Sequence, residues 1–226
     1  IQSEEYRAAG IRITDFLHAS AQKYGEPFEM LLRALEQGEV VVFDVEATGL
    51  DTARDEIIQL AAIKLDMQGR ELDRLVHYVR ASQPVGQSEA VHHISDAKLL
   101  EEGIEPEKAL QDFLDFARGC VVVGHNVGFD LTILASQLAR LGLKPLEIPA
   151  FYDTLDIFRR FYPQLPNHKL EFLGEHFHVG HKSTHDAFDD ICATGEILLY
   201  AVKHDILPVR DVRRSLISRH IRNFAP

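Results

Sequence analysis

The feature that most constrains this chain is the run Val40-Val41-Val42-Phe43-Asp44-Val45-Glu46, in which apolar, mostly β-branched residues surround two carboxylates. Bounded by Gly38 and Gly49, a short apolar run of this kind reads as a buried strand. Side chains alternate along a strand, so Asp44 and Glu46 fall on one face, about 6 to 7 Å apart along the chain. A solvent-facing strand side would also tolerate them. The apolar neighbours on both faces argue otherwise, because a carboxylate near a core costs on the order of several kcal/mol unless it is paired or binds a cation.

Two further segments bring acids towards the same kind of position. In Val122-Val123-Gly124-His125-Asn126-Val127-Gly128-Phe129-Asp130 a strand ends in a glycine-containing turn and leads into a helix predicted over 130–141. Asp130 near that helix N-terminus has a structural reading of its own, as a cap facing the helix dipole. In Ser183-Thr184-His185-Asp186-Ala187-Phe188-Asp189-Asp190 a helix is predicted over 185–203, with His185 and Asp190 on adjacent sides of its first turns. His185 alone is an ordinary surface or capping histidine. Taken together, carboxylates from a strand face, a strand–helix junction and a helix start suit the oxygen-preferring Mg²⁺ or Mn²⁺, and not zinc or copper.

The rest of the pattern predicts a mixed α/β sheet flanked by helices. Residues 1–38 read as a helical appendage, with Phe28, Leu31, Leu32 and Leu35 at helical spacing after Pro27. Strands are expected over 57–65 and 72–79, with a turn at Gln68-Gly69, then over 120–123 and more weakly over 148–151. Helical patterns cover 95–118, 154–161, 169–177 and 209–223. The expected organisation is a catalytic domain over 39–203 between the N-terminal appendage and a C-terminal basic helix over 204–226.

A chain of 226 residues suffices for one such domain. No apolar run approaches the roughly 18 residues that a membrane helix requires, and the N-terminus lacks a signal peptide's apolar core. Cys120 and Cys192 sit in apolar settings without zinc spacing, which suits a reducing cytoplasm. A soluble cytoplasmic protein without membrane contact is the expectation, and the absence of an initial Met leaves open that the chain is a piece of something longer. The net charge of −11 argues against broad coating of nucleic acid. It leaves room for acidic metal ligands and for a basic cluster at Arg210, Arg213, Arg214, Arg219 and Arg222, which reads as a solvated helix face or a nucleic-acid or partner contact.

The runs Phe43-Asp44-Val45-Glu46-Ala47-Thr48-Gly49-Leu50, Gly124-His125-Asn126-Val127-Gly128-Phe129-Asp130 and His185-Asp186-Ala187-Phe188-Asp189-Asp190 together resemble the three motifs of the DEDDh (DnaQ-like) 3′→5′ exonucleases. The style is that of the proofreading subunit or domain of bacterial replicative DNA polymerase III. The likeness spans roughly residues 39–202 and extends to Asp153-Thr154-Leu155 and Ala90-Val91-His92-His93-Ile94-Ser95. It departs at Ala47, where the family usually has Thr, and at His93, where it usually has Gly.

The resemblance implies a ribonuclease-H-like five-stranded sheet, three strands antiparallel and then two parallel. It implies two divalent cations, Mg²⁺ or Mn²⁺. Asp44 would bridge both, Glu46 and Asp190 would complete one site, and Asp130 would hold the second through water. His185 is implied as general base, an imidazole ordinarily titrating near pH 6.5. Thr48, Gly49 and Leu50 would line the 3′-terminal nucleotide with Phe129, and Asn126 is counted among the substrate contacts. His92 is either another such contact or a packed histidine. The implied partner is nucleic acid with a free 3′ end, single-stranded DNA favoured, with a polymerase or other replication or repair protein as companion. RNA trimming by the same fold and a non-catalytic binding scaffold are the alternatives.

Overall fold

A computed structural model describes residues 28–181 and 185–204, together with the backbone of residues 12 and 13. At its centre are strands β2 (Val40–Ala47), β3 (Ile57–Leu65), β4 (Glu71–Tyr78), β5 (Val121–Gly124) and β7 (Phe151–Asp153), in the order β4-β3-β2-β5-β7. The pairs β2·β3 and β3·β4 are antiparallel, whereas β2·β5 and β5·β7 are parallel. The sheet is therefore the expected one, three antiparallel strands followed by two parallel. Parallel neighbours need crossovers, and these are supplied by helices: α4 (Pro106–Phe116) precedes β5, and α5 (Val127–Arg140) leads from β5 towards β7.

Alternation along β2 sorts the core into two layers. Val40 and Val42 face a cluster with Leu31 and Leu35 of α1 (Glu29–Gln37) and with Ile191, Ile197 and Leu198 of the last described helix, α8 (Ala187–Lys203). Val41, Phe43 and Val45 face Leu110 and Phe113 of α4 and Leu131 and Leu134 of α5. Period two continues the first row into Asp44 and Glu46, so both acids point to the α8 side of the sheet. Helices α6 (Thr154–Phe161) and α7 (Leu170–His176) close that side through Phe158 and Leu173. Among the described residues no helix is long and apolar enough to cross a membrane.

Several elements differ from the sequence expectation. Within the stretch read as helical, Arg12–Ile13 is a short strand, β1, paired in parallel with β6 (Glu147–Ile148). The local sequence Gly10-Ile11-Arg12-Ile13-Thr14 alternates with period two, a strand signal that the helical spacing further on obscured. The weak strand over 148–151 is two strands, β6 and β7, interrupted at Pro149, which has no N–H to give a ladder. The helical stretch 95–118 is likewise two helices, α3 (Asp96–Glu102) and α4, split at Gly103. Ile104 there donates to the Tyr78 carbonyl and accepts from the Arg80 N–H, extending the sheet edge. Short helix α2 (Glu89–His92) precedes them and ends at His93, whose φ of 59° lies in the left-handed region. That conformation is free for glycine and strained for histidine, which gives the family's usual glycine a physical reason here. The helix expected over 209–223, with its arginines, lies outside the described residues.

Candidate active site

Two adjacent features of the chain place the acids. Asp44 and Glu46 hang from the carboxyl half of β2, where a register shift at Glu46/Ala47 ends regular pairing with β3. Opposite them, α8 presents Asp190 from its first turn. Ligand oxygens of Asp44, Glu46 and Asp190 all lie within 4.8 Å of one another. Asp130 approaches from the other layer: α5 starts at Val127, so Asp130 closes its first turn, is buried, and accepts the Val45 N–H at 3.2 Å. The four acids thus converge, three in one cluster and the fourth pinned between Asp44 and Glu46 through the backbone of Val45.

Their electrostatics are those of buried carboxylates crowded against one another. Glu46 is pushed up to about 8, first by burial and then by Asp190, Asp130 and Asp186. Asp44 is raised well above the usual carboxylate range by burial and then by Asp130, Glu46, Asp190 and Asp186. Asp130 is raised chiefly by burial, against the opposing pull of backbone N–H groups. An all-oxygen, like-charged, half-buried cluster fits a hard divalent cation, which would replace mutual repulsion by shared attraction.

One consequence concerns stability. A carboxylate with a raised folded value keeps its proton in the fold after the unfolded chain has lost it, so metal-free stability falls as pH rises from about 4.5 to about 8 at Glu46. The melting temperature of the metal-free chain is expected to drop across that window, and Glu46→Gln is expected to flatten the slope. Equal slopes for the two proteins in calorimetry would remove Glu46 as its source.

His185 differs from the helical placement expected for it. It lies before α8 with φ of 57°, is exposed, and leaves the cap position to Asp186, whose carboxylate accepts the Phe188 and Asp189 N–H groups. The structure keeps it at the mouth of the acid cluster's helix and close enough to His92 to disfavour a charge there. His92 is buried, its Nδ1 accepts from the Ile94 N–H at 3.1 Å, and its Nε2 faces the Ala47 carbonyl without a hydrogen bond of normal geometry. Burial lowers its pKa.

The loop after β2 is held as a rigid lip. Thr48 donates its hydroxyl to Asp55 at 3.1 Å and accepts the Glu56 N–H at 3.0 Å. Gly49 lies so close to Asp55 that a Cβ would meet its carboxylate oxygen at 2.4 Å, so a larger residue here would displace the Asp55 side chain. From α5, Arg140 clasps the carbonyls of Ala53 and Asp55, and buried Gln137 accepts the Ile57 N–H at 2.8 Å. The lip leaves Leu50 87% exposed, the most exposed large apolar side chain described. An apolar side chain held outward on a fixed loop beside acids is a candidate surface for a base or sugar. Phe129 is half-buried against the α4–α5 layer.

The turn between β5 and α5 is clipped as firmly. Asn126 has φ of 63° and donates its N–H to Asp153, which also accepts from the Leu155 N–H as the cap of α6. His125 is pinned by Thr154 and by the His168 carbonyl, and burial drives it down to about 4, so it is a neutral clamp. Gln137, Arg140 and Asp186 were not singled out from the sequence. For Asp186 a signal existed, an Asp directly before a helical pattern; for the other two only the tertiary pairing reveals the role.

A family profile described as Exonuclease matches residues 41–198, most of the chain and all three acidic segments. The chain belongs to this exonuclease family. Among curated relatives of the family, it is 32% identical over 189 residues to a PolC-type DNA polymerase III of Caldanaerobacter subterraneus subsp. tengcongensis. That alignment covers 82% of the chain and 13% of the polymerase. To the PolC-type enzyme of Halalkalibacterium halodurans it is 36% identical over 170 residues, covering 75% of the chain and 12% of the relative. The chain thus spans about an eighth of the length of these polymerases. The fold matches E. coli Exonuclease I in complex with a dT13 oligonucleotide with a TM-score of 0.67 and 20% identity, over 74% of this chain and 41% of that one.

Proposed function

We propose that the chain is a metal-dependent 3′→5′ exonuclease that removes nucleoside 5′-monophosphates one at a time from single-stranded or frayed DNA ends. The observation that carries this reading is the meeting of Asp44, Glu46 and Asp190 within 4.8 Å, with Asp130 behind them, in a chain of the exonuclease family. DNA as substrate is supported by relatives that are DNA polymerases and by the oligonucleotide complexes of the Exonuclease I neighbours. A polymerase as companion rests on the same likeness.

Asp44, Glu46 and Asp190 would hold one divalent cation, and Asp44 with Asp130 would hold a second, Mg²⁺ or Mn²⁺ in each case. Bound there, such ions acidify a water and stabilise the leaving 3′ oxygen. The chain's own residues do the rest. His185, exposed at the start of α8, takes the proton from the attacking water. Leu50 and Phe129 give apolar surface to the terminal nucleotide, while the clipped turn at Asn126 and the lip at Thr48 and Gly49 keep that surface at a fixed distance from the acids. A net charge of −11 leaves little surface to hold a long duplex, so the end of an unpaired strand is the natural ligand.

The test is a gel of matched DNA and RNA oligomers labelled at either end, single-stranded and blunt duplex, with and without Mn²⁺. Stepwise shortening of the 5′-labelled single strand and early release of the 3′ label are expected, only with metal. Cuts at internal positions, or digestion of blunt duplex as fast as of a frayed one, would sink the proposal.

A further inference from the structure

The start of α8 is held by a residue on the sheet. Gln59 of β3 is fully buried, sits opposite Glu46 in the β2–β3 register, and faces the α8 side with the acids. Its Nε2 donates to Asp186 Oδ2 at 2.9 Å, and its Oε1 accepts the Ala187 N–H at 3.0 Å. The partners fix which end is which: a carboxylate needs a donor and an N–H needs an acceptor, and the amide offers one at each end.

The free N–H groups at the helix start are thereby satisfied as a set. Ala187 goes to Gln59, Phe188 and Asp189 go to the Asp186 carboxylate, and Asp190 goes to the Asp186 carbonyl. The two bonds of Gln59 fix the height and rotation of the helix turn that carries Asp190 relative to the strand that carries Asp44 and Glu46.

We propose that Gln59 is a positioning residue for the exonuclease site, an amide latch that sets Asp190, and with it the backbone at His185, against Asp44 and Glu46. Its side-chain bonds go to Asp186 and Ala187 and not to the acids of the cluster. This rests on the reading of the acid cluster as the cation site.

Gln59→Leu keeps a similar volume and removes both bonds. Gln59→Glu turns one bond into a clash of two carboxylates. Adding Asp186→Asn to it restores a donor facing an acceptor, while the oxygen of the new amide still accepts the Phe188 N–H. Mn²⁺ binding followed by electron spin resonance, kcat and KM on a single-stranded oligomer, and the melting temperature are measured on each full chain. For Gln59→Leu the expectation is Mn²⁺ affinity and kcat each lower by about tenfold, with KM within about twofold of the parent, as is usual for partners that orient metal ligands. For Gln59→Glu kcat falls similarly, and the double variant recovers most of it. A Gln59→Leu chain that melts lower but binds Mn²⁺ and turns over within about twofold of the parent overturns the proposal. Should that variant not fold, failure of the double variant to exceed Gln59→Glu overturns it instead. A parent chain that binds Mn²⁺ yet degrades no 3′ end would defeat the proposed activity while the Mn²⁺ comparison still reports on the latch.

Discussion

Replacing Asp44 by Ala is expected to lower turnover by about a thousandfold or more at saturating Mg²⁺, since a bound cation contributes several kcal/mol of charge stabilisation and each ~1.4 kcal/mol is tenfold. The fold should survive, because Asp44 carries a burial cost and a repulsion from acidic neighbours that its removal relieves. Without metal, the Asp44→Ala chain is expected to melt no lower than the parent. Asp190→Ala and Glu46→Ala should behave alike in activity. Asp130→Ala should match them in activity and differ in stability, because it leaves the buried Val45 N–H without its acceptor, a loss of about 1–3 kcal/mol. Steady-state rates and melting curves on the four variants check this, and near-full turnover in any one of them would take that residue out of the proposed cation site.

The second large effect is expected at His185. His185→Ala should lose on the order of 10² to 10⁴ in turnover near neutral pH and regain part of it at high pH, where hydroxide competes with the missing base. The ordinary alternative, that this histidine caps α8, is weakened by the geometry: Asp186 and Gln59 already serve the helix start, and His185 lies outside the helix. The melting temperature should therefore change little, and His185→Gln should resemble His185→Ala. An unchanged pH–rate profile would remove His185 from the chemistry.

What the sequence determined by itself was the central strands, the elements that carry the acids and the shared face of Asp44 and Glu46. A β-branched run interrupted by Asp44 and Glu46 specifies a buried strand with one polar face, because side-chain period and burial cost act locally. The same holds for the strand–turn–helix at Asp130 and the helix carrying Asp190. Local signals failed where two patterns overlapped or a boundary depended on a partner: the Arg12–Ile13 strand needs its mate at Glu147–Ile148, and β6 and β7, interrupted at Pro149, pair with different sheets.

The tertiary structure decided what holds the site in place. Gln59, Gln137 and Arg140 carry no motif, and each acts through a bond to a residue 80 or more positions away along the chain. His185 lies outside its predicted helix because Asp186 caps it, with a carboxylate that accepts two N–H groups, and what no local pattern shows is that Gln59 of the sheet holds that cap. Periodicity reports which face a residue occupies; the contact that fixes a catalytic group to within an ångström is made across that face, by side chains whose pairing no local pattern encodes.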